Sequence, residues 1–290
     1  MKRHLQLLLS FSKSLSKENM LETDSPDYER RFSGVRRLYG QQGLAKLQAA
    51  KVCVIGIGGV GSWAVEALAR SAVGHMTLID LDNIAESNVN RQLHAIDGAF
   101  GMAKVAAMAQ RIKAINPACV VTKIEDFVTP DNVAEMLNGD FTMVLDAIDD
   151  AKAKVAIAAY CKKKNIQLVT VGGAGGRLDP TKIKQGDLSQ VVGDRLLAKV
   201  RNQLRRDHGF AKAPTSHKKS VVKFGITAVY SDEQVLQPNG DIEVSCEVDK
   251  VDSAITGLNC AGYGSSVCVT APFGMAAAAI VLNQIIKKWL

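Results

Sequence analysis

The segment Gly56-Ile57-Gly58-Gly59-Val60-Gly61 most narrows what this chain can become. It follows a short β-branched run, Lys51–Ile55, and precedes residues 62–72, whose apolar side chains recur at helical spacing. In that context GxGxxG reads as a strand–turn–helix junction. Gly56 permits the tight turn, Gly58 lets a phosphate approach the backbone, and Gly61 lets the helix pack on the strand. The helix start then offers unpaired N–H groups and the positive end of its dipole to an anion. Asp80, closing the next extended run, is placed to accept hydrogen bonds from ribose hydroxyls. The junction predicts a bound nucleotide. A glycine turn without a ligand is the plainer reading, and a nicotinamide dehydrogenase is the rival enzyme, because both use the same turn.

Around the junction the chain alternates strand and helix patterns. Extended runs are expected at 51–55, 75–80, 119–124, 142–147 and 166–171, with helices at 62–72, 102–115 and 151–164. Asn116-Pro117 closes the second helix. This rhythm implies an α/β, Rossmann-like fold with a largely parallel sheet and helices on both faces. After Gly176 the rhythm changes. Residues 187–207 read as a helix of rising basicity, 209–220 as a flexible loop, and 221–230 with 241–248 as a hairpin around Pro238-Asn239-Gly240. The expected organisation is a flexible tail at 1–29, a nucleotide-binding core at 30–183, and an elaboration at 184–290 that carries a C-terminal helix and continues the core. Residues 253–286 carry no charge and are long enough to cross a bilayer. Thr270, Pro272, Gly274, Asn283 and Gln284 interrupt them, so a buried or subunit-interface helix is favoured over membrane association.

Composition narrows the partners. The chain has 290 residues, with 36 Lys+Arg against 29 Asp+Glu, and its 47% hydrophobic and 22% charged content exclude a disordered or fibrous chain. Its +7 charge is concentrated at 195–223, where Arg195, Lys199, Arg201, Arg205, Arg206, Lys212, Lys218, Lys219 and Lys223 face Asp207 alone. Such a one-sided stretch fits contact with nucleic-acid phosphates, and a solvated crossover loop is the alternative. None of the six cysteines forms a CxxC pair, so neither a structural zinc nor a dithiol redox motif is expected. Cys53 lies in an apolar run; Cys246, Cys260 and Cys268 lie in less regular sequence, where one could act as a nucleophile. A long chain without an export signal points to the cytoplasm.

Beyond Asp80 the sequence is dense in polar groups: Asp82, Asn83, then Ser87-Asn88-Val89-Asn90-Arg91-Gln92. A dehydrogenase has no need of this block. ATP chemistry does, since a guanidinium such as Arg91 grips phosphate oxygens bidentately and Lys104 adds a second cation. The carboxylates of Asp146-Ala147-Ile148-Asp149-Asp150 can hold Mg²⁺ beside a triphosphate. Each residue alone has a bland reading. All of them fall at the carboxyl ends of strands, where such folds bind ligands.

These motifs resemble the ubiquitin-activating-enzyme-like adenylyltransferase superfamily, which includes the thiamine and molybdopterin sulfur-carrier adenylyltransferases. The resemblance rests on Gly56-Ile57-Gly58-Gly59-Val60-Gly61-Ser62, the D-x-D at 80–82, N-x-N-R-Q at 88–92, Lys104 and D-x-x-D at 146–149. RRFSGVRRLYG at 30–40, DFVTPDN at 126–132 and VTVGGAGGRLDPTKI at 169–183 are similar to its tRNA-modifying branch, the threonylcarbamoyladenosine dehydratases. It covers residues 30–288 and is densest before 183.

The resemblance implies ATP-dependent activation of a carboxylate, with Arg91, Lys104 and Asp149 as the catalytic set and Asp149 as the Mg²⁺ ligand. It assigns ATP contact to Gly56, Gly58, Gly59, Gly61, Asp80, Asp82, Asn88, Arg91, Gln92 and Lys104. An arginine of the opposite subunit's N-terminal helix commonly completes such sites, which makes Arg31 and Arg36 candidates and implies a homodimer. A monovalent cation beside Mg²⁺ stays open. The implied reaction is dehydration of N6-threonylcarbamoyladenosine beside a tRNA anticodon through an acyl-adenylate, with the tRNA phosphates tracked by Arg195, Lys199, Arg201, Arg205, Arg206, Lys218 and Lys219. The glycine turn at 172–176 would shape the acyl pocket. The alternative is activation of a sulfur-carrier protein, or sulfur relay with a cysteine desulfurase through Cys246. The absence of the superfamily's catalytic-cysteine and zinc motifs weakens it.

Overall fold

The computed structural model describes residues 27–212, 221–236 and 263–287. Seven helices and seven strands organise these residues. Helix α1 (Tyr28–Ala49) starts at Asp27, whose side chain accepts the Arg30 N–H, and bends at Gly40, where φ is +76°. Strand β1 (Lys51–Ile55) leads through the glycine loop into α2 (Gly61–Arg70); then follow β2 (His75–Ile79), α3 (Lys104–Ile115) and β3 (Val120–Ile124). After the single turn α4 (Val133–Met136) come β4 (Met143–Asp146), α5 (Ala151–Lys164), β5 (Gln167–Val171) and β6 (Ile183–Asp187). Helix α6 (Arg195–Asp207), β7 (Thr227–Ser231) and α7 (Val267–Lys287) complete the order.

All strands join one sheet in the order β3-β2-β1-β4-β5-β7-β6. Every pairing is parallel except β6 with β7. Side chains alternate across a strand, so neighbouring residues of β1 serve different cores. Val52 and Val54 join α2, α3 and α7 on one face, while Cys53 and Ile55 join α5 and α6 on the other. Two cores share one sheet, and β1, β4 and β5 are buried on both faces, as the interior of a parallel sheet requires.

The strands and helices expected between residues 51 and 171 lie where the sequence pattern places them, within one or two residues at each end, whereas that pattern gives neither α1, which starts inside the expected tail, nor the short α4. The later part differs. β7 inserts between β5 and β6, pairing Val169 with Thr227 and Gly186 with Ala228. Ala228 and Val229 are fully buried there, so this strand needs a neighbour on each side. The expected helix at 187–207 is shorter, beginning at Arg195. Its first part is instead the end of β6 and a 3₁₀ turn at Leu188–Gln190. β6 reads Ile-Lys-Gln-Gly-Asp, half-exposed and polar, which suits an edge strand and hides it from hydrophobic periodicity. It also spans the expected core boundary at 183. The Pro238-Asn239-Gly240 turn and 241–248 lie outside the described residues, as do most of the tail, Lys218 and Lys219.

Helix α7 is long and apolar enough to cross a membrane, yet half of its most apolar window is buried inside the protein. It packs along α2, and at Gly274 a Cβ would come within 2.3 Å of the Val60 carbonyl oxygen. That close approach brings the start of α7 against the glycine loop.

Candidate nucleotide-binding active site

A cavity of about 400 Å³ opens at the carboxyl edge of β1, β2, β4 and β5. The glycine loop forms its floor. Gly56 has φ +85°, and a Cβ there would come within 2.8 Å of Ile148. At Gly61 a Cβ would lie 1.7 Å from the Gly56 carbonyl oxygen, so these two glycines are demanded by the protein itself. Gly58 differs: its nearest neighbour would be Gln92 Nε2 at 3.9 Å. No described residue needs glycine there, which leaves open space where a ligand phosphate would approach. Helix α2 begins at Val60 and Gly61 without a side-chain cap; the Ser62 N–H goes to the Gly58 carbonyl oxygen at 3.1 Å, while the Gly61 N–H has no acceptor among the described residues.

Asp80 holds the loop in place. Its Oδ2 accepts the Ile57 N–H at 2.6 Å and its Oδ1 accepts the Asp82 N–H at 2.9 Å. Burial pushes its carboxyl above the usual range, against the opposing pull of Lys104 and these N–H donors. Asp82 is half-exposed, and its Oδ2 lies 2.6 Å from Lys104 Nζ. Lys104 is the first residue of α3, 5% exposed, and also 3.9 Å from Asp80 Oδ1. His94 Nε2 meets the Ile57 carbonyl oxygen at 2.9 Å and braces the loop from its other side. Burial holds that imidazole below its ordinary value.

The polar block after β2 folds as a 3₁₀ turn (Glu86–Asn88) that presents Arg91 to the cavity. Asn88 is buried, and its Oδ1 accepts the Ala85 N–H at 3.1 Å, so it shapes the turn rather than facing the opening. Arg91 lays its stem over Gly59 and donates through Nη1 to the Ser87 carbonyl oxygen and Asn90 Oδ1. Its partial burial lowers its affinity for the proton, and the nearby charge of Asp149 offsets that. Gln92 lines the cavity, and its Oε1 is buried without a partner among the described residues. Thr270 Oγ1, from the first turns of α7, shares that condition and lines the same cavity. Two buried polar atoms without a described partner, both on residues that line one cavity, are a standing cost that a bound ligand would relieve.

The acids after β4 separate by role. Asp146 is fully buried, its Oδ2 taking Lys154 Nζ at 2.9 Å and the Thr170 hydroxyl at 2.7 Å, so it faces no ligand. Its Oδ1 accepts the Ile148 N–H and fixes the turn. Asp150 caps α5 through the Ala153 N–H. Asp149 lines the cavity, and its carboxylate takes no hydrogen bond from any described residue. Of the three, it is the one free to hold a cation. Gly172, which also lines the cavity, allows no Cβ because Asp194 Oδ2 would lie 2.2 Å away; Asp194 also accepts the Gly173 N–H and pairs with the buried Arg177.

Other predicted residues lie elsewhere. Arg31 donates to the Ala114 and Ile115 carbonyl oxygens at 3.0 and 2.9 Å, capping α3, and Arg36 pairs with exposed Glu29. Neither lines the cavity of its own chain. In the basic segment, Arg201 donates to the Val191 carbonyl oxygen, and Arg205 to those of Ala211 and Ser189, its guanidinium over the Phe224 ring. Arg195 and Lys199 stay exposed, and Arg206 pairs only with its neighbour Asp207. The pattern reading assigned no role to Phe127, Lys152, Ser265 or Thr270, all of which line the cavity. DFVTPDN carried a signal, because Asn132 folds that loop by accepting the Thr129 N–H and donating to the Phe127 carbonyl oxygen. Thr270 carried none, since it reads only as a break in an apolar stretch. Cys53, Cys119 and Cys161 are buried. Burial pushes the Cys119 and Cys161 thiols up to about 11 and about 12, and Cys53 further still, so none is a ready nucleophile. Cys246 and Cys260 lie outside the described residues.

The ThiF family pattern matches residues 28–288. The chain is 45% identical over 263 residues to tRNA threonylcarbamoyladenosine dehydratase of Haemophilus influenzae, covering 90% of this chain and 95% of that one. It is 35% identical over 225 residues to the protein of that name from Bacillus subtilis, covering 77% and 84%. Among solved structures, tRNA N6-threonylcarbamoyladenosine dehydratase of Escherichia coli in complex with ATP matches with a TM-score of 0.79 at 42% identity. That match covers 91% of this chain and 97% of that one. The AMP complex of the same protein matches with a TM-score of 0.78.

Proposed function

From membership of the ThiF family, to which this chain belongs, we propose that it catalyses ATP-dependent dehydration of N6-threonylcarbamoyladenosine in tRNA. The observation that carries the reading is the single cavity edge that brings together an open Gly58, an uncapped helix start, Arg91, Lys104 and the unengaged Asp149. A carboxylate cannot lose its oxygen as hydroxide at a useful rate, so that oxygen must first join a better leaving group. A substrate carboxylate oxygen attacks the α-phosphorus of ATP, and the bond to pyrophosphate breaks with its electron pair. A nucleophile of the same side chain then attacks the acyl carbon, and AMP departs carrying the substrate's oxygen. The ring closes, and the substrate is one water poorer. Holding both partners in one molecule supplies the high effective concentration such a closure needs.

Arg91 and Lys104 stabilise charge growing on the phosphate oxygens, a term worth several kcal/mol in a preorganised site. Lys104 reaches the phosphates by exchanging its contact with Asp82, which frees Asp82 for a ribose hydroxyl while Asp80 keeps the loop. Asp149 suits a Mg²⁺ held chiefly by phosphate oxygens, the usual mode for that ion. When bound, the ion would neutralise triphosphate charge. Gln92 Oε1 and Thr270 Oγ1 would orient the nucleotide and the acyl chain. In a homodimer Arg36 would be the more available of the two helix arginines, because Arg31 is committed to capping α3 while Arg36 holds only an exposed pair with Glu29.

The test is incubation with ATP, Mg²⁺ and threonylcarbamoylated tRNA, followed by nucleoside mass analysis. Loss of one water from the modified adenosine, with pyrophosphate release abolished by Arg91→Ala, is the expected result. Full dehydration by the Arg91→Ala variant would overturn these assignments, and an unchanged nucleoside mass with the parent protein would overturn the reaction.

A further inference from the structure

A second depression, of about 810 Å³, runs between α5 and α6 on the face of the sheet opposite α7. It meets the nucleotide cavity: Pro130 and Lys152 line both. From Lys152 the groove follows α5 as far as Lys163, about 16 Å at ~1.5 Å per residue. Lys199 and Arg206 face it from α6, and His208 lies at its far end. No acidic side chain lines it among the described residues. Lys152, Lys163 and Lys199 are exposed and pair with no described acid, while Arg206 is tied only to Asp207 among the described residues, in a solvent-exposed pair of little strength. Half-buried Tyr160 and Phe210 form part of the floor between the two rows of charge.

We propose that this α5–α6 groove is the track for the RNA strand beside the modified nucleoside, with Lys152, Lys163, Lys199 and Arg206 on its phosphates. The proposal rests on the tRNA reading above and changes which residues carry it. The cations most suggestive in the sequence are partly consumed by the fold, since Arg201 and Arg205 cap backbone carbonyls. The structure supplies replacements from a different helix, α5, whose Lys152 and Lys163 lie well before the basic segment. Phosphates in a continuous strand need cations spaced along a path rather than gathered at a point. A groove with positive sides, aromatic floor and one end in the catalytic cavity provides that path. Four or five nucleotides at ~3.4 Å rise would span it.

The test compares the parent protein with a Lys163→Glu/Lys199→Glu variant and with Lys123→Glu, a control on exposed strand β3. All three are assayed for dehydration of threonylcarbamoylated tRNA and for direct tRNA binding across salt concentrations. The groove variant should raise the KM for tRNA about tenfold, keep the KM for ATP, and lower the slope of log affinity against log salt by roughly two. The control should match the parent. An unchanged tRNA KM and salt slope would overturn the proposal, and so would a fall in kcat or melting temperature with the tRNA KM intact. If the parent protein binds tRNA but fails to dehydrate it, the reaction fails while the binding comparison still decides the groove.

Discussion

Lys104 and Lys154 both stand at the carboxyl edge of the sheet beside an aspartate, and they do opposite work. Lys154 and Asp146 are fully buried, and Thr170 completes their hydrogen bonds. No solvent or ligand can reach either group, so the pair can only fix the turn that presents Asp149. Lys104 is nearly as buried, but its nearer partner, Asp82, is half in solvent. That contact can be exchanged for a phosphate without stranding a charge in the interior. The glycines repeat the contrast: Gly61 is held by backbone 1.7 Å from where its Cβ would be, whereas Gly58 faces open space. What separates frame from site is whether the neighbouring volume is already filled by protein.

Breaking the frame should cost most. Lys154→Ala leaves the Asp146 carboxylate buried and unpaired, so urea unfolding should show a loss of about 3–5 kcal/mol. Replacing both partners by apolar residues, as in Lys154→Met/Asp146→Leu, should restore much of that stability. A loss below about 1 kcal/mol in the single variant would erase the distinction. Lys104→Ala should do the reverse, lowering single-turnover adenylation about 10²–10³-fold while unfolding shifts by less than about 1 kcal/mol.

Smaller effects sharpen the glycine comparison. Gly56→Ala forces a side chain into left-handed backbone against Ile148 and should destabilise by about 1–3 kcal/mol. Gly58→Ala should keep the parent's melting temperature and weaken ATP binding measured by calorimetry. Equal loss of stability in both would mean that Gly58 is also a frame residue.

The smallest effect is a pH dependence. Burial raises the Glu66 carboxyl, but hydrogen bonds from Arg111 and Arg70 outweigh it and hold the group below its ordinary 4.5. Its contribution is therefore present above about pH 4.5 and is lost as pH falls through the folded value. Glu66→Gln should flatten the acid limb of a stability–pH curve by up to about 1 kcal/mol, because both arginines are partly in solvent. Asp80 runs the other way. Its raised carboxyl favours the fold at low pH, and that contribution fades as pH rises.

Much of the core was legible because its signals are local. The strand–glycine–helix order, the N-x-N-R-Q block and the acids after β4 are spelled within short windows, and the apolar runs of β1, β4 and β5 follow from their burial on both faces. What stayed illegible depended on distant partners. Asp80 reads as a ribose acceptor until Ile57 is seen donating to it, and only the resemblance singles out Asp149 from D-x-x-D until Lys154 is seen closing over Asp146. β6 is hidden because an edge strand tolerates polar side chains, and for β7, expected as an extended run, the pairing with β5 and β6 is what no local pattern carries.

The sequence by itself determined the phosphate-binding junction, the alternating architecture and the residue types that surround a nucleotide. Backbone freedom at glycine and the two side-chain periodicities act over only a few residues. Tertiary structure decided which of those residues remain free. It buried Asp146, turned Arg201 and Arg205 inward, left Asp149 and Gly58 facing open space, and drew a basic groove from two helices that are far apart in the chain. Burial and pairing are properties of neighbours in space, and the fold alone chooses those.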